Sequence, residues 1–289
     1  MPSQPLTWVV TGCSSGLGEA LVRAILATGD QVIATARPRN NVRVTDRLSA
    51  LSEAGATVFE LDVCSPQEEL DITAREIWQI YGKVDVLVNN AGYIDMGIVE
   101  EISEPFLIHA LRTNAFGPLN VARAFLPLMR VRYTGTVLFT SSVGAYYGAP
   151  GASGYTGAKG LLETVVPNLA LELAPFGIRT ALLPYSYHRT EIMAAANFRN
   201  RAPHPRPEYE AMRGRIAAGC AAQNHQQGGD PAKAAVVVAA VQGTGPWQGR
   251  TLPLRLPVGR AAIDAMRQSC EERLAVCTAL EGIVDRTDL

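Results

Sequence analysis

Leu6-Thr-Trp-Val-Val-Thr11, followed at once by Gly12-Cys-Ser-Ser-Gly-Leu-Gly18, decides the fold of this 289-residue chain. The first six residues are a short apolar run rich in β-branched side chains and ended by glycine, the pattern of a buried strand. From Gly16 to Ala27, Leu17, Ala20, Leu21, Ala24 and Ile25 recur at helical spacing until Gly29-Asp30 breaks the run. Gln31–Ala36 is a second strand, so the chain opens with a βαβ unit. Glycines at the first strand-to-helix junction permit a tight turn and let a phosphate approach the backbone. The helix N-terminus behind them offers free N–H groups and a positive dipole end. Gly12, Ser14, Ser15, Gly16, Leu17 and Gly18 are therefore read as a dinucleotide pyrophosphate site.

The alternation continues outward from that unit. Strands are expected at Thr57–Leu61, Val84–Asn89, Thr136–Ser141, Ile178–Leu183 and Thr251–Leu256. Helices are expected at Pro66–Tyr81, over one long stretch from Glu104 to Arg130, from Tyr155 onward, from Asp230 to about Val241, and from Arg260 to Leu280. Such alternation implies an α/β fold, a doubly wound (Rossmann), seven-stranded, mainly parallel sheet with helices on both faces. The chain reads as a single domain over residues 1–289. Between Pro184 and Gly229 the pattern loosens into Arg-, Ala- and Pro-rich sequence with short helices near Thr190–Phe198 and Glu208–Ala222. A long irregular insertion of this kind is expected to be a substrate lid, about 185–228. A C-terminal helical extension follows over about 258–289.

Composition narrows the function classes. The formal net charge is -1, with 47% hydrophobic and 18% charged residues, and the chain has no long charged run. This argues against a nucleic-acid partner or an anionic membrane surface. Cys13, Cys64, Cys220, Cys270 and Cys277 lack metal-ligand or disulfide-framework spacing. No apolar run approaches the roughly 20 residues of a membrane span. A cytoplasmic protein, without metal, is the expectation.

The chemistry is concentrated in Ser142-Val-Gly-Ala-Tyr-Tyr-Gly-Ala-Pro-Gly-Ala-Ser-Gly-Tyr-Thr-Gly-Ala-Lys159. Tyr155 and Lys159 stand four apart and share a helix face. A phenol is protonated near neutral pH, and a nearby cation favours its ionised form. Ser142 is placed to hydrogen-bond a carbonyl or hydroxyl while Tyr155 gives or takes the proton. An isolated Tyr-x-x-x-Lys pair is ordinary helix surface; here it follows a serine-ended strand and a glycine-rich loop. At the end of the second strand stands Arg37, where an acidic residue would favour NAD and a guanidinium suits the 2′-phosphate of NADP.

Together these features resemble the short-chain dehydrogenase/reductase family, strongly over about Leu6–Leu183. Thr11–Gly18 matches its T-G-x-x-x-G-x-G signature and Asn89-Asn90-Ala91-Gly92 its N-N-A-G. Asn114 matches its helix asparagine, and Ser142, Tyr155 and Lys159 its catalytic set. The resemblance implies hydride transfer between a nicotinamide and a carbonyl or secondary alcohol. Tyr155 would be the general acid, Lys159 would lower its pKa and bond the nicotinamide ribose, Ser142 would polarise the carbonyl, and Asn114 would hold a relay water. It also implies cofactor contacts from Asp62, Val63, Asn89, Ala91, Gly92, Pro184 and Thr190. The expected protein is an NADPH-dependent ketoreductase or secondary-alcohol dehydrogenase of secondary metabolism acting on a fairly apolar small molecule, and a possible homo-oligomer. A non-redox isomerase or cyclase, a dinucleotide sensor and an extended-type epimerase are the alternatives.

Two departures from the family pattern stand out. Pro184-Tyr-Ser-Tyr-His-Arg-Thr190 has tyrosine where the family has glycine, and its threonine comes one residue late. Tyr185, Tyr187 and His188 are read as packing or lid contacts, with substrate contact the other reading. Pro167, inside the Tyr155 helix, removes a hydrogen bond to Glu163, so a kink is expected near Glu163–Val166.

Overall fold

The computed structural model describes residues 4–38, 42–194 and 204–284. Six strands, β1 (Thr7–Thr11), β2 (Gln31–Ala36), β3 (Thr57–Glu60), β4 (Val86–Asn89), β5 (Gly135–Ser142) and β6 (Ile178–Tyr185), form one sheet in the order β3-β2-β1-β4-β5-β6. Every pairing is parallel. Strand order reverses between β1 and β4, and ligands of such sheets bind beyond the carboxyl ends at that switch point.

Successive strand side chains point to opposite faces, so a strand covered on both sides needs an unbroken apolar run. Val9, Ile33, Leu87, Val137 and Phe139 pack on one face against α3 (Gln67–Tyr81), α5 (Gly117–Arg132) and α6 (Ser153–Leu173). Trp8, Val10, Val32, Val88 and Leu138 pack on the other against α1 (Gly16–Leu26) and the Val237–Val241 part of a later helix. Among the described residues, no helix is long and apolar enough to cross a membrane.

Four expectations are corrected. A helix, α2 (Val42–Glu53), stands where none was read: its sequence is polar overall, and fully buried Leu51 with Leu48 packed nearby is a thin apolar signal. The long 104–130 helix is divided into α4 (Glu104–Leu111), a π turn (Arg112–Phe116) and α5. The Asp230 start is a 3-10 turn, Pro231–Ala234, capped by Asp230 Oδ1 on Ala232 N at 3.0 Å, before α8 (Ala235–Gln242).

The seventh strand is the fourth correction. Residues 254–258 run parallel to β6 but form only isolated bridges, Leu182 with Arg255 and Tyr185 with Val258. Leu256 N donates to Leu182 O at 2.9 Å and Val258 N to Pro184 O at 2.9 Å. Pro184 has no N–H to return, so the ladder is interrupted where it would have joined the sheet. The helix α6 spans Ser153 to Leu173 with Pro167 inside it.

In the 185–228 segment the structure has short turns at Glu191–Met193 and Pro207–Tyr209 and the helix α7 (Glu210–Gln223). Phe198, the end of the helix read at 190–198 and Arg201 to Pro203 lie outside the described residues. Around α7 the fully buried Glu101 accepts from Arg206 N at 2.7 Å and is ion-paired with Arg213. Glu100 accepts from Tyr209 Oη at 2.7 Å. A buried carboxylate needs such partners, so this cluster fixes where α7 rests. The helix α9 (Arg260–Leu280) has the range expected, and its second half is exposed.

Candidate active site

A cavity of about 920 Å³ opens at the carboxyl ends of β1 and β4. At one end lies the glycine turn. Gly12 and Gly16 have φ of +74° and +64°, which only glycine adopts readily. A Cβ on Gly12 would lie 2.7 Å from Ala91 Cα, and one on Gly18 2.4 Å from Gly12 O. Thr11 Oγ1 accepts from both Asn90 N and Ala91 N at 3.0 Å, while Asn90 Nδ2 donates to Thr11 O at 2.9 Å. The Asn89–Gly92 stretch thus holds the turn open. Ser15, at the N-cap of α1, makes no side-chain cap bond, leaving first-turn N–H groups for an anion. Cys13 is fully buried with Sγ on Val10 O, and burial pushes its thiol up to about 12, so it stays a neutral filler.

Ser14, Ser15, Gly16, Leu17, Arg37, Val63, Ala91 and Gly92 line this end of the cavity. Arg37 is exposed and forms no ion pair among the described residues. Gly18, Asp62, Asn89 and Pro184 stand behind the lining. Asp62 Oδ1 accepts from Cys64 N at 2.9 Å, which shapes the loop that presents Val63. The cradle that any Cβ would fill, the uncapped helix end and the unpaired cation fit the phosphates of a dinucleotide.

At the other end Ser142, Tyr155, Lys159 and Asn114 converge. Ser142 closes β5, and its Oγ accepts from Gly144 N at 3.1 Å. Burial raises the pKa of Tyr155, and a hydrogen bond with Ser142 opposes the rise. Lys159 is 2% exposed, donates to Thr140 O at 2.7 Å, and lies 5.8 Å from the centre of the Tyr155 ring. Desolvation lowers it to about 8, which still leaves mostly ammonium at neutral pH. One of its three N–H groups is thus held by the β5 backbone, and the ammonium lies beside the Tyr155 ring. The π turn carries Asn114, whose Oδ1 accepts from Tyr93 N at 3.1 Å and whose Nδ2 donates to Ala110 O at 3.1 Å. That amide pins the chain just after β4.

The late threonine lies against the glycine turn. Thr190 Oγ1 accepts from Ile192 N at 3.4 Å, and a Cβ on Gly16 would lie 3.3 Å from its side chain. Tyr185, 5% exposed, stacks edge-on with His188 at 5.3 Å. Tyr185, Tyr187 and His188 all line the cavity. Three further groups had no assignment from sequence. Tyr147 bonds through its hydroxyl to that of Tyr187 across the cavity mouth. Met96, Met193, Ile216 and Cys220 lead from the cavity into a smaller apolar hollow of about 320 Å³. Gln227 also faces in. Tyr147 lay within the quoted Ser142–Lys159 stretch, but pairing partners 40 residues apart leave no local signal.

The profile of the short chain dehydrogenase family matches residues 7–200. Oxidoreductase BOA17 of Botryotinia fuckeliana is 31% identical over 264 residues, covering 91% of this chain and 92% of that protein. The solved structure of a short-chain dehydrogenase from Streptomyces avermitilis is 35% identical with a TM-score of 0.80, covering 99% of this chain and 100% of that one. A variant of actinorhodin polyketide ketoreductase solved with NADPH is 26% identical with a TM-score of 0.68, covering 89% and 97%. With the switch-point cavity, the glycine turn and the Ser142, Tyr155 and Lys159 cluster in one sheet, these matches place the chain in the short chain dehydrogenase family of oxidoreductases, which use a nicotinamide dinucleotide.

Proposed function

We propose that this protein is an NADPH-dependent ketoreductase or secondary-alcohol dehydrogenase acting in the cytoplasm on a fairly apolar small molecule of secondary metabolism. The observation that carries the reading is one cavity holding Arg37 at one end and Ser142, Tyr155 and Lys159 at the other. Gly12 to Gly18 hold the pyrophosphate on the N-terminus of α1, Arg37 takes the 2′-phosphate, and Val63, Ala91 and Gly92 border the adenosine. The bound nicotinamide supplies the hydride.

The chain's own residues handle the proton. Ser142 Oγ donates to the substrate carbonyl oxygen and orients it. Tyr155 Oη delivers a proton to that oxygen as it becomes an alcohol. Lys159 ammonium stabilises the phenolate left behind, which offsets the burial that otherwise keeps Tyr155 protonated. Asn114, held at both amide atoms, keeps the Gly92–Tyr93 backbone in place beside this centre; a relay water on it is part of the same reading. The segment 185–228 serves as the lid, and the apolar hollow at Met96, Met193 and Ile216 suits an apolar substrate.

The test is calorimetric titration of NADPH, NADP, NADH and NAD into wild type and Arg37→Ala, with NADPH oxidation followed over a panel of ketones. Preferential NADPH binding that Arg37→Ala abolishes, and turnover that Tyr155→Phe abolishes while binding persists, are expected. Tight binding without turnover of any ketone would favour a non-redox isomerase or cyclase.

A further inference from the structure

Gln227 lies just beyond α7, is 5% exposed, and lines the same cavity as Ser142, Tyr155 and Lys159. Its amide oxygen and nitrogen are both buried, and neither has a hydrogen-bond partner among the described residues. Leaving such a group unpaired costs on the order of 1–3 kcal/mol. Just behind a cavity wall, such an amide marks a place where a ligand that draws it outward supplies both acceptor and donor.

The surrounding backbone says which part of a ligand passes there. Arg189 Nε donates to Gln227 O at 3.3 Å, Gly229 N to Tyr187 O at 2.9 Å, and Arg189 N to Gly229 O at 2.8 Å. Gln227 is therefore fixed beside the Tyr187–Thr190 strip. One end of that strip is Tyr187, joined to Tyr147 and electrostatically felt by Tyr155. The other end is Thr190, packed over Gly16 of the phosphate turn. A dinucleotide with its pyrophosphate on the turn and its reacting ring at Tyr155 would pass along this strip. Its adenine edge also pairs a donor with an acceptor, but adenine belongs at the Arg37 and Val63 end. Thr190 packs against Gly16 at the phosphate end of the strip, and its hydroxyl already accepts from Ile192 N.

We propose that Gln227 recognises the nicotinamide carboxamide in an amide–amide pair, its Oε1 accepting from the carboxamide NH2 and its Nε2 donating to the carboxamide oxygen. The assignment rests on the reading that a nicotinamide dinucleotide, NADP in particular, occupies this cavity. It gives this chain a positioning group, drawn from the lid, for the face of the ring presented to substrate.

Binding, not turnover, tests it. NADP, its 3-acetylpyridine analogue, in which a methyl replaces the carboxamide NH2, and 2′,5′-ADP are titrated calorimetrically into wild type, Gln227→Leu and Gln227→Glu. Wild type is expected to bind NADP about tenfold more tightly than the analogue. Gln227→Leu is expected to lose that preference and about tenfold in NADP affinity, with 2′,5′-ADP unchanged within twofold. Gln227→Glu, which keeps the acceptor and loses the donor, should fall between. Equal wild-type affinity for NADP and the analogue, or NADP binding unaltered by Gln227→Leu, would overturn the assignment; the first comparison needs no variant. A parallel loss of 2′,5′-ADP in Gln227→Leu would also overturn it, by showing a general collapse of the site. If wild type binds neither NADP nor 2′,5′-ADP, the cofactor reading itself is wrong and this assignment falls with it.

Discussion

Arg255 Nη2 donates to the backbone carbonyl of Glu163 at 3.0 Å. Pro167 explains why that carbonyl is free: in a helix the N–H four residues on would bond it, and proline has none. The same guanidinium donates through Nε to Glu163 Oε2 at 2.7 Å, and Ser141 Oγ donates to Oε1 at 2.6 Å. One carboxylate thus ties α6, which carries Tyr155 and Lys159, to the strand end that carries Ser142 and to the extended 254–258 segment. The proline that departs from a regular helix is accommodated by an arginine 88 positions later.

Removing that arginine should be felt in stability. Arg255→Leu leaves the carbonyl unbonded and the Glu163 side chain, 11% exposed, with one donor. Breaking a buried pair costs about 3–5 kcal/mol. Because Arg255 is 34% exposed, water recovers part, and about 2 kcal/mol is expected, a Tm fall of roughly 4–8 °C. Pro167→Ala returns an N–H to Glu163 O, so Arg255→Leu should cost about 1 kcal/mol less in that background. Thermal melts of the four proteins measure the coupling; strictly additive losses would show that the carbonyl contact contributes nothing.

Lys159 sets a pH signature. Below about pH 8 its ammonium is present in folded and unfolded chains alike, and its desolvation weighs against folding. Between about 8 and the ordinary 10.5 the folded chain releases that proton while the unfolded chain keeps it. Through this group the unfolded state then binds more protons, so its contribution to stability rises with pH, by about 1 kcal/mol between pH 8 and 9. Above about pH 9 Cys13, and above about pH 10 Tyr155 and Tyr185, all raised by burial, retain protons the unfolded chain has lost, which cancels and then reverses the rise. Urea melts of cofactor-free protein at pH 7, 8 and 9 should show the rise in wild type and none in Lys159→Met.

The parts of this molecule legible in sequence are those where local chemistry permits one solution. Gly12 and Gly16 stand at positive φ between a buried strand and a helix, and those requirements can be read from adjacent residues. The strand cores were legible because both faces of the sheet are covered, so their apolar runs are unbroken. Element ends set by partners far along the chain were not. The π turn at Arg112–Phe116 is followed at once by Gly117-Pro118, a local signal of irregularity, whereas the ladder beside β6 fails because of Pro184, which lies on the other strand. Of the site, Ser142, Tyr155, Lys159 and the glycine turn were found from spacing. Tyr147 and Gln227 reach the cavity only through tertiary placement.

Gly18 is a sharper test of the turn than Gly12, because its backbone needs no special φ. In Gly18→Ala the new methyl would lie 2.4 Å from Gly12 O and 2.7 Å from Asn90 Nδ2, so the turn or the Asn90 brace must shift. A stability loss of about 1–3 kcal/mol is expected, with at least a tenfold drop in dinucleotide affinity, since the first-turn N–H groups move with the turn. Calorimetry beside a thermal melt separates the two. Unchanged affinity would mean the turn does not hold phosphate.

Tyr147 and Tyr187 are the remaining device at the mouth. Both rings are about two-fifths exposed, and their hydroxyls join the loop after β5 to the strip after β6. Two neutral phenols share one hydrogen bond, which leaves the accepting partner an O–H of its own to direct into the cavity beside Tyr155. Burial and the contact with Tyr187 raise the pKa of Tyr147, so it stays protonated through neutral pH. Tyr187→Phe removes the link with the ring in place. Because the pair is exposed, global stability should change by no more than about 1 kcal/mol. The local effect should be larger: hydrogen exchange is expected to quicken at 147–150 and 187–194, and KM for a ketone substrate to shift severalfold while dinucleotide affinity holds. Exchange rates equal to wild type in both segments would show that the hydroxyl pair closes nothing. Equal exchange together with a shifted KM would instead assign Tyr187 a direct hydrogen bond to substrate.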